Sequence, residues 1–456
     1  MTDLIASAGS GEDATPLWFV SKGDDLPADL PKLAAAWMKS TGAEAEPGRA
    51  VMLPSETGAL AGVLFGVDPK GDPFAPGAVA ASLGAGLYRF ALPPQDRRLA
   101  ALGYVLHSYR YDRYSRGKTT QARLEVPQGV DEAWLRYTIE AVTLARDLIN
   151  TPANDMGPQE LEDAARRLAG KHEADISVIT GDALLQQGFP MIHAVGRASD
   201  RAPRLIDMAW GADDAPKVTL VGKGVCFDTG GVNVKPDAAM RNMKKDMGGA
   251  ATVLALAHLV MAAKLPIRLR VLIPAVENAI GGSSFRPGDI LHSRKGLTVE
   301  IGHTDAEGRL VLGDALALAD EEAPELLLDF ATLTGAARVA LGPDLPPFYT
   351  DDDQVAADLA RHATTENDPL WRLPLWQPYN KMIEPKIADL TNSASGGFAG
   401  SITAALFLAH FVEKAKTWVH FDVFGWTPTA KPGRPEGGEC QGARAAFALL
   451  AERYGR

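Results

Sequence analysis

The sequence predicts an α/β protein with a smaller N-terminal α/β domain and a larger C-terminal domain. The larger domain is expected to contain a mostly parallel central sheet flanked by helices. Three observations support this fold class. The chain has 456 residues, which is too long for a single ordinary core. From residue 151 onward, strand-like and helical patterns alternate, as in a parallel sheet covered by helices. Before that point, one long helical pattern separates the two parts.

The N-terminal part, to about residue 130, alternates apolar segments with turns that contain Gly and Pro. Residues 58–67 (GALAGVLFGV) and 86–92 (GLYRFAL) have the composition and spacing of strands. Residues 97–111 (RRLAALGYVLHSYRY) have the pattern of an amphipathic helix. No pattern in this part indicates chemistry, so we interpret it as a small α/β domain for assembly or shielding.

The helical pattern DEAWLRYTIEAVTLARDLIN covers residues 131–150. It ends at Asn150, and Pro152 lies just beyond it as a stop signal. We interpret this segment as a linker helix. The predicted domains are therefore residues 1–150, ending in the linker helix, and residues 151–456, which form the larger C-terminal domain.

Composition limits the classes of function. The net charge of −11 argues against a nucleic-acid partner, because phosphate binding depends on clustered Lys and Arg. Only Cys226 and Cys440 are present, fewer than a disulfide scaffold would use, which favours a cytoplasmic location. The longest apolar run, AATVLALAHLVMAA, is shorter than a membrane span and contains His258. We therefore predict a buried helix there and no membrane association.

Polar residues follow four predicted strands of the C-terminal part. They are Lys223 and Asp228 after VTLVG, Glu277 and Asn278 at the end of LRVLIPAVEN, Asp305, Glu307 and Arg309 after LTVEI, and Thr332 and Thr334 after ELLLDFA. Ligands of open α/β sheets bind at the carboxyl ends of the strands. We therefore expect these side chains to converge, although they are far apart in the sequence.

Asp246 adds a fourth carboxylate to Asp228, Asp305 and Glu307. It precedes Gly248-Gly249 and a long helical pattern, so by itself it fits a first-turn aspartate as well as a functional group. Four carboxylates in one crevice repel one another, which raises their pKa values. Divalent cations remove this repulsion, and two metal ions about 3.5–4 Å apart form a recurring hydrolytic device. The sequence therefore predicts a metal site.

The segment TDAEGR places Asp305, Glu307 and Arg309 at alternate positions. If the segment is extended, all three side chains lie on the same side of the chain. Arg309 would then flank the metal ions.

Other chemistries fit the sequence less well. It contains no H-E-x-x-H zinc motif, no G-x-S-x-G elbow and no phosphate-binding glycine loop. Cys226 lies close to the predicted site, but we interpret it as a small buried residue and not as a nucleophile. His303 precedes the acidic segment, where it fits a support for the site and a plain structural histidine equally well.

Five segments in order carry a family resemblance: VGKGVCFDTGG with the following VKP, KKDMGGA, TDAEGRL, DFATLTGA and IADLTNSASGGFAGSITAALFL. Together they resemble the signature of the leucyl aminopeptidases, the dimetal cytosol aminopeptidase family M17. The resemblance covers most of residues 145–456. It implies a metal-dependent exopeptidase that releases N-terminal amino acids, preferably Leu and other apolar residues, from peptides.

The resemblance also implies a ligand set. Lys223, Asp228, Asp246 and Glu307 would bind one metal ion, and Asp228, Asp305 and Glu307 would bind the other. The two divalent ions are expected to be Mn²⁺ or Zn²⁺, because either ion accepts carboxylate ligands. A lysine ligand must be neutral, because an ammonium group has no lone pair. The metal charge and burial would lower its pKa.

The implied reaction is attack by metal-activated water on the first peptide bond. Lys235 would polarise the scissile carbonyl and stabilise the oxyanion. Arg309 would hold a bicarbonate ion that serves as the general base. One metal ion would hold the α-amine of the substrate, with Asp246 nearby, which would restrict cleavage to the first residue.

The pocket for the first side chain matches Met243, Thr332 and Gly335, and Leu333 would offer its backbone carbonyl. Such a pocket gives broad specificity, because one methylene group is worth only about 1–3 kcal/mol. Family members assemble as hexamers, so the resemblance predicts a homohexamer. His303 stands where the family has Asn, which bears on subfamily and specificity.

Two other functions remain open from the sequence. Some bacterial relatives bind DNA on the same scaffold, but such binding needs a basic stripe, and the net charge of −11 argues against it. A two-metal phosphoesterase would need more His ligands or a phosphate cradle, and neither is evident.

Overall fold

The computed structural model describes residues 1–9, 13–115 and 121–455. Contacts divide the chain into two compact units. One unit comprises Met1–Thr143 with Pro428–Glu436, and the other comprises Leu144–Thr427 with Gly437–Arg456. The division falls inside the predicted linker helix, which forms over Glu132–Asn150. A domain boundary at residue 150 stays a prediction, because compactness alone does not define where a functional domain ends.

The first unit is built on one sheet. Its strands are β1 Ile5–Ala6, β2 Thr15–Ser21, β3 Ala50–Pro54, β4 Leu60–Val67, β5 Gly86–Leu92 and β6 Ala122–Glu125. Its helices are α1 Ala34–Thr41 and α2 Arg97–His107, with short 3-10 helices at Thr2–Leu4 and Ala75–Ser82. Within the described residues the strand order is β1-β6-β5-β2-β4-β3. All neighbours are parallel except β3 and β4. The two strands and the helix predicted in this part are confirmed.

Local chemistry explains two of these elements. Helix α2 begins after Asp96, whose carboxylate accepts a hydrogen bond from the Leu99 N–H at 2.8 Å, as N-cap residues do. Trp18 of β2 lies beside Leu64 of β4 in the parallel pair, and both side chains are buried. Burying such apolar side chains stabilises the sheet by about 1.5–3 kcal/mol each.

The second unit contains the larger, central sheet and further short strands outside that sheet. Its strands are β7 Asp175–Thr180, β8 Arg204–Trp210, β9 Lys217–Gly222, β10 Gly224–Asp228, β11 Arg268–Asn278, β12 Ile290–His292, β13 Thr298–Glu300, β14 Leu326–Ala331, β15 Pro347–Tyr349, β16 Trp371–Arg372, β17 Leu390–Thr391, β18 Trp418–Asp422, β19 Trp426–Thr427 and β20 Gly437–Gly438.

The linker helix, α3 Glu132–Asn150, begins in the first unit and ends in the second, and the remaining helices follow it. The others are α4 Pro158–His172, α5 Ala183–Gln186, α6 Pro190–Gly196, α7 Asp237–Met240, α8 Gly248–Ala262, α9 Gly308–Glu321, α10 Gly335–Leu341, α11 Asp353–Thr365, α12 Gly400–Ala409 and α13 Ala443–Tyr454. Short 3-10 helices form at Met243–Met247 and Gln377–Ile383. The linker helix is confirmed, and so is the buried helix predicted for the long apolar run, which is α8.

The central sheet has the order β16-β15-β18-β14-β9-β11-β8-β7 within the described chain, and β10 also pairs with β11. Its central pairs are parallel: β18 with β14, β14 with β9, and β9 with β11. Strands β8 and β7 extend it in antiparallel fashion. A mostly parallel sheet flanked by helices is therefore confirmed, and β9, β11 and β14 end at a common edge.

Two local predictions are wrong. The strand predicted before the acidic segment, β13, does not join the central sheet but pairs with β12 and β17 in a small separate sheet. The acidic segment is not extended either, because helix α9 begins at Gly308 and Glu307 already has helical backbone angles. Arg309 therefore lies in the first turn of a helix.

No helix in residues 1–9, 13–115 and 121–455 combines the length and apolar character needed to cross a membrane.

Candidate active site

Three acidic side chains meet at the carboxyl edge of the central sheet. Asp228 ends β10, Asp305 lies in the loop before α9, and Glu307 immediately precedes that helix. One carboxylate oxygen from each of the three lies within 4.8 Å of the others. Asp228 and Glu307 are buried, and Asp305 is half-buried. The convergence expected from the sequence is present here, although the three residues are up to 79 positions apart (307 − 228).

Lys223 joins Asp246 to this acidic cluster. Its Nζ atom lies 2.7 Å from Asp246 Oδ2 and 3.0 Å from Glu307 Oε1, and it donates a hydrogen bond to the Thr332 carbonyl at 3.0 Å. All of these side chains are buried. The five residues predicted to bind metal ions thus form one connected group of charges.

Lys235 lies on the other side of the acidic cluster. Its Nζ atom is 2.7 Å from Asp228 Oδ2 and also pairs with Asp305 Oδ1. The Lys235 side chain is 13% exposed, against 3% for Lys223. Lys235 is therefore the lysine of the pair that lies closer to solvent.

Burial changes the pKa values of the acidic residues. Burial, reinforced by neighbouring carboxylates, raises the pKa of Asp228 to about 6 and that of Glu307 to about 8. Burial would also raise the pKa of Asp246, but Lys223 and Lys245 hold it below its usual range. Desolvation and like-charge repulsion therefore act against full ionisation of this cluster.

The two lysines respond in the opposite sense. Burial alone would lower the pKa of Lys223, but the carboxylates of Asp246, Glu307 and Asp228 raise it. The pKa of Lys235 is raised in the same way by Asp228 and Glu307. A lysine that bound a metal ion would have to lose its proton, so metal binding at Lys223 would be coupled to proton release.

The donor set fits divalent cations. Glu307 Oε2 is buried and has no hydrogen-bond partner among the described residues. Such an acceptor is costly to bury unless a cation or a donor binds it. Hard and borderline divalent ions prefer carboxylate oxygen ligands, and several are available here.

Surrounding residues orient the acidic side chains. The Asn278 carboxamide donates to Asp228 Oδ1 at 2.8 Å, and the Thr332 hydroxyl donates to Asp246 Oδ1 at 2.8 Å. Thr332, predicted as a pocket wall, thus also fixes a predicted ligand. The sequence placed Asn278 at a strand end but did not indicate this contact.

Thr304 ties the acidic segment to the loop that precedes Lys235. Its hydroxyl donates to the Gly230 carbonyl at 2.6 Å and accepts from the Asn233 N–H at 2.9 Å. Its own N–H donates to Asn233 Oδ1 at 2.9 Å. His303 Nδ1 accepts a hydrogen bond from the Asp305 N–H at 3.1 Å, which makes this histidine a local support for the turn.

Arg309 is buried in the first turn of α9, and its Nε atom has no hydrogen-bond partner in the part of the chain that the structure describes. Burial lowers the pKa of Arg309 to about 10, although Glu307 and Asp422 oppose the shift. The guanidinium therefore remains charged at neutral pH, which suits a site for a small anion.

The predicted substrate residues lie on two segments, the 3-10 helix that contains Asp246 and the chain from Thr332 to the start of α10. Met243 is half-buried at the start of a 3-10 helix, and Gly335 is exposed at the start of α10. Asp422 fixes the loop between Thr332 and α10, because its Oδ1 accepts hydrogen bonds from the N–H groups of Leu333 and Thr334 at 3.2 and 3.0 Å. Asp422 ends strand β18, and the rule about strand ends would have found it in the sequence.

Cys226 does not behave as a nucleophile. Its side chain is fully buried, and burial raises the pKa of its thiol. A thiol that is protonated and inaccessible is unreactive. Cys440 is also buried, and neither cysteine forms a disulfide.

Cations are therefore the partners that the acidic cluster can bind, and the carboxyl edge of the sheet is where α/β enzymes hold their ligands. The fold and the site together define a metal-dependent α/β enzyme. Comparisons with known proteins specify it further. The catalytic domain of the cytosol aminopeptidase family matches residues 143–447, and the N-terminal domain of the M17 aminopeptidases matches residues 19–127.

Curated relatives and solved structures agree with this match. A probable cytosol aminopeptidase of Roseiflexus castenholzii is 41% identical over 77% of this chain and 75% of its own length. One from Syntrophotalea carbinolica is 40% identical over 77% of this chain and 74% of its own length.

Among solved structures, the cytosol aminopeptidase of Coxiella burnetii has a TM-score of 0.94 and 44% identity, covering 99% of this chain and 100% of its own. The bottromycin maturation enzyme BotP in complex with Mn has a TM-score of 0.86 and 32% identity, covering 96% and 99%.

The chain belongs to the cytosol aminopeptidase family. It is a metal-dependent exopeptidase, a hydrolase that removes residues from the N-terminus of peptides. The relatives described above are named for peptidase activity or enzymatic maturation and give no support to the DNA-binding alternative.

Proposed function

We propose that the enzyme uses two divalent ions, Mn²⁺ or Zn²⁺, held by Lys223, Asp228, Asp246, Asp305 and Glu307. The observation that carries this proposal is the cluster of three carboxylates within 4.8 Å, with Lys223 joining Asp246 to it. The complex of BotP with Mn supports manganese as one candidate. When bound, such ions make a water molecule acidic enough to act as a nucleophile at neutral pH.

Lys235 is the proposed electrophilic residue. Its ammonium group lies at the more exposed side of the cluster, where it pairs with Asp228 and Asp305. If these carboxylates held divalent ions, the ions would compensate their charge in place of the Lys235 ammonium group. The ammonium group could then donate a hydrogen bond to the carbonyl oxygen of the substrate. A preorganised donor at the developing oxyanion is commonly worth a factor of about 10²–10³ in kcat.

Arg309 is the proposed anchor of a bicarbonate ion that acts as general base. Its buried, charged guanidinium group supports this role, because its Nε has no partner among the described residues. Planar bidentate recognition of a carboxylate-like anion is the geometry that a guanidinium group favours.

The proposed substrates are peptides with Leu or another apolar residue at the N-terminus. Asp246 would lie near the α-amine, and the Leu333 carbonyl would contact the backbone of the substrate. Met243, Thr332 and Gly335 would surround the first side chain. The support is that Thr332 is hydrogen-bonded to Asp246 and that Met243 lies in the same 3-10 helix as Asp246.

We further propose a homohexamer in the cytoplasm. The family match of residues 143–447 supports this proposal, because the family resemblance implies a hexamer. The mass in solution, measured by light scattering, tests the hexamer.

The decisive experiment is metal reconstitution. We would remove metal from the purified protein and follow Leu-p-nitroanilide hydrolysis as Mn²⁺ or Zn²⁺ is restored, in the wild type, Asp305→Ala and Lys235→Ala. The proposal requires that metal restores wild-type activity, that both variants lose it, and that Lys235→Ala still binds two ions per chain. A wild type that binds two ions yet releases no N-terminal residue from varied peptides contradicts it.

A further inference from the structure

Lys245 is a buried cation to which no described residue offers a hydrogen-bond acceptor. It lies in the 3-10 helix Met243–Met247, directly before Asp246, and is only 5% exposed. Among the described residues, its ammonium group contacts the aromatic ring of Phe424, and the distance from Nζ to the ring centroid is 4.9 Å. No described carboxylate or carbonyl accepts a hydrogen bond from this ammonium group, although Asp246 is the next residue.

Asp246 does not satisfy Lys245, because its carboxylate already has partners. Its Oδ2 lies 2.7 Å from Lys223 Nζ, and its Oδ1 accepts from the Thr332 hydroxyl at 2.8 Å. Lys223 also pairs with Glu307 at 3.0 Å, whereas Lys245 has no carboxylate partner of its own among the described residues.

Arg338 brings a second cation to the same aromatic ring. Its guanidinium carbon lies 4.6 Å from the ring centroid of Phe424. Arg338 belongs to α10, has an exposed side chain, and forms no ion pair with a described residue. The two positive groups repel each other, and each cation–π contact with the ring contributes only about 0.5–2 kcal/mol of stabilisation.

The two cations lie on the same short elements as residues of the predicted pocket for the first side chain of the substrate. Lys245 follows Met243 by two residues, and α10 begins at Gly335, three residues before Arg338. Gly425, the residue after Phe424, lies next to the predicted pocket residue Thr332, because a Cβ on Gly425 would lie 3.1 Å from Thr332 Cγ2. The ring and both cations therefore belong to the same group of elements as the proposed pocket wall.

An anionic group is the ligand that this arrangement lacks. A buried ammonium without an acceptor is costly, and a carboxylate removes that cost through a charge-assisted hydrogen bond. A guanidinium beside it can bind the same carboxylate through two N–H groups. The face of Phe424 would pack against the methylene groups that precede the carboxylate.

We propose that this pocket accepts an acidic first residue, Glu or Asp, in addition to apolar residues, with Lys245 and Arg338 binding its side-chain carboxylate. The inference deepens the proposed function and rests on it, since it assigns a substrate class to the same pocket. Lys245 and Arg338 are specificity-determining residues in this scheme.

The test compares Glu-p-nitroanilide with Gln-p-nitroanilide, which differs from it only in charge and hydrogen bonding, and with Leu-p-nitroanilide. In the wild type we expect kcat/KM to be higher for the Glu substrate than for the Gln substrate. Lys245→Met and Arg338→Met should each lower this Glu/Gln ratio by about tenfold or more, the scale of one charged hydrogen bond. Lys244→Met is the matched control.

Lys244 is the neighbouring lysine, and its Nζ donates to the Asn150 carbonyl at 2.7 Å. Its removal deletes the same charge one residue away, so the ratio should stay at the wild-type value. Metal content and melting temperature verify that each variant is folded. Arg338→Met alters an exposed side chain, so it keeps the test decisive if Lys245→Met fails to fold.

The outcomes separate the two proposals. If the metal-loaded wild type cleaves none of the three substrates, the proposed function fails. If it cleaves the Leu substrate but favours Gln over Glu, or if neither Lys245→Met nor Arg338→Met changes the ratio, the acidic pocket is refuted and the aminopeptidase assignment stands.

Discussion

The side chain of Asn278 is hydrogen-bonded to Asp228, with 2.8 Å between Nδ2 and Oδ1. The same amide group also donates to the Thr304 carbonyl at 3.1 Å. One buried amide therefore holds the end of β11 against both an acidic side chain and the loop that carries Asp305. Such partners of metal ligands fix the direction of the ligand oxygens.

Replacing Asn278 by Ala should weaken metal binding. Without the amide, Asp228 loses a donor and can rotate, and such losses commonly lower metal affinity about 10- to 100-fold. Titration calorimetry with Mn²⁺ measures the effect. Asn380→Ala is the control, because the amide of Asn380 donates to Gln377 and not to a carboxylate of the site. Equal affinities of the two variants would contradict the prediction.

Gly308→Ala should disturb Lys223 while leaving the fold intact. A Cβ at this position would lie 2.6 Å from Lys223 Cε and 2.7 Å from its Nζ, so the flexible end of the lysine must move. Alanine is otherwise favourable in a helix. We expect an unchanged melting temperature and a loss of affinity for one metal ion, measured by competition with a chelating dye. Gly282→Ala, where a Cβ meets nothing within 4 Å, should bind both ions normally.

Bicarbonate should stimulate the enzyme through Arg309. In a buffer freed of carbon dioxide, added bicarbonate is expected to raise kcat of the wild type, since general bases contribute a factor of about 10²–10⁴. Arg309→Met should be slow and insensitive to the ion, because its buried site no longer holds a cation. Chloride at equal ionic strength controls for salt, and equal stimulation of both proteins would exclude Arg309 as the anchor.

The buried pair of His420 and Asp329 should make stability depend on pH. The distance from Nδ1 to Oδ1 is 2.6 Å, and both side chains are fully buried. Burial would lower the pKa of His420, but Asp329 raises it above its usual value. The stabilisation from this pair is therefore complete below about pH 6.5, the unfolded value, and is lost as pH rises through the folded pKa.

Asp329→Asn removes the charge that raises this pKa. The melting temperature of the wild type should exceed that of the variant at pH 6, and the difference should narrow as pH rises. Thermal denaturation at constant ionic strength, with metal absent from both proteins, measures it. A difference that widens with pH would show that the pair acts with the opposite sign.

Much of the fold follows from local pattern. The apolar strands β9, β11 and β14 and the helix α8 could be predicted, because burial on both faces leaves continuous apolar segments. The position of β13 could not. This strand is only three residues long, and it pairs in parallel with Leu390–Thr391, about ninety positions further along the chain. Such pairing is decided by tertiary contacts and not by local composition.

The candidate site also has features that the sequence predicts and features that it does not. Acidic residues at strand ends are visible in the sequence because the carboxyl edge of a sheet collects ligands. The difference between Lys244 and Lys245 is not visible. The two residues are identical neighbours, yet one reaches a backbone carbonyl and the other is buried against Phe424, almost 180 positions away. Burial of a lysine depends on what the rest of the chain packs around it.

The hydrogen bonds of Thr304 have a consequence for the energetics of turnover. They hold the loop of Gly230 and Asn233 against the acidic segment on which Asp305 lies. The ordering entropy of that loop is therefore lost once, when the chain folds, and not again each time a peptide binds. The binding free energy of the substrate can then act at the reacting carbonyl group. If the hydrogen bonds of Thr304 were lost, part of that free energy would instead offset the entropy cost of ordering the loop.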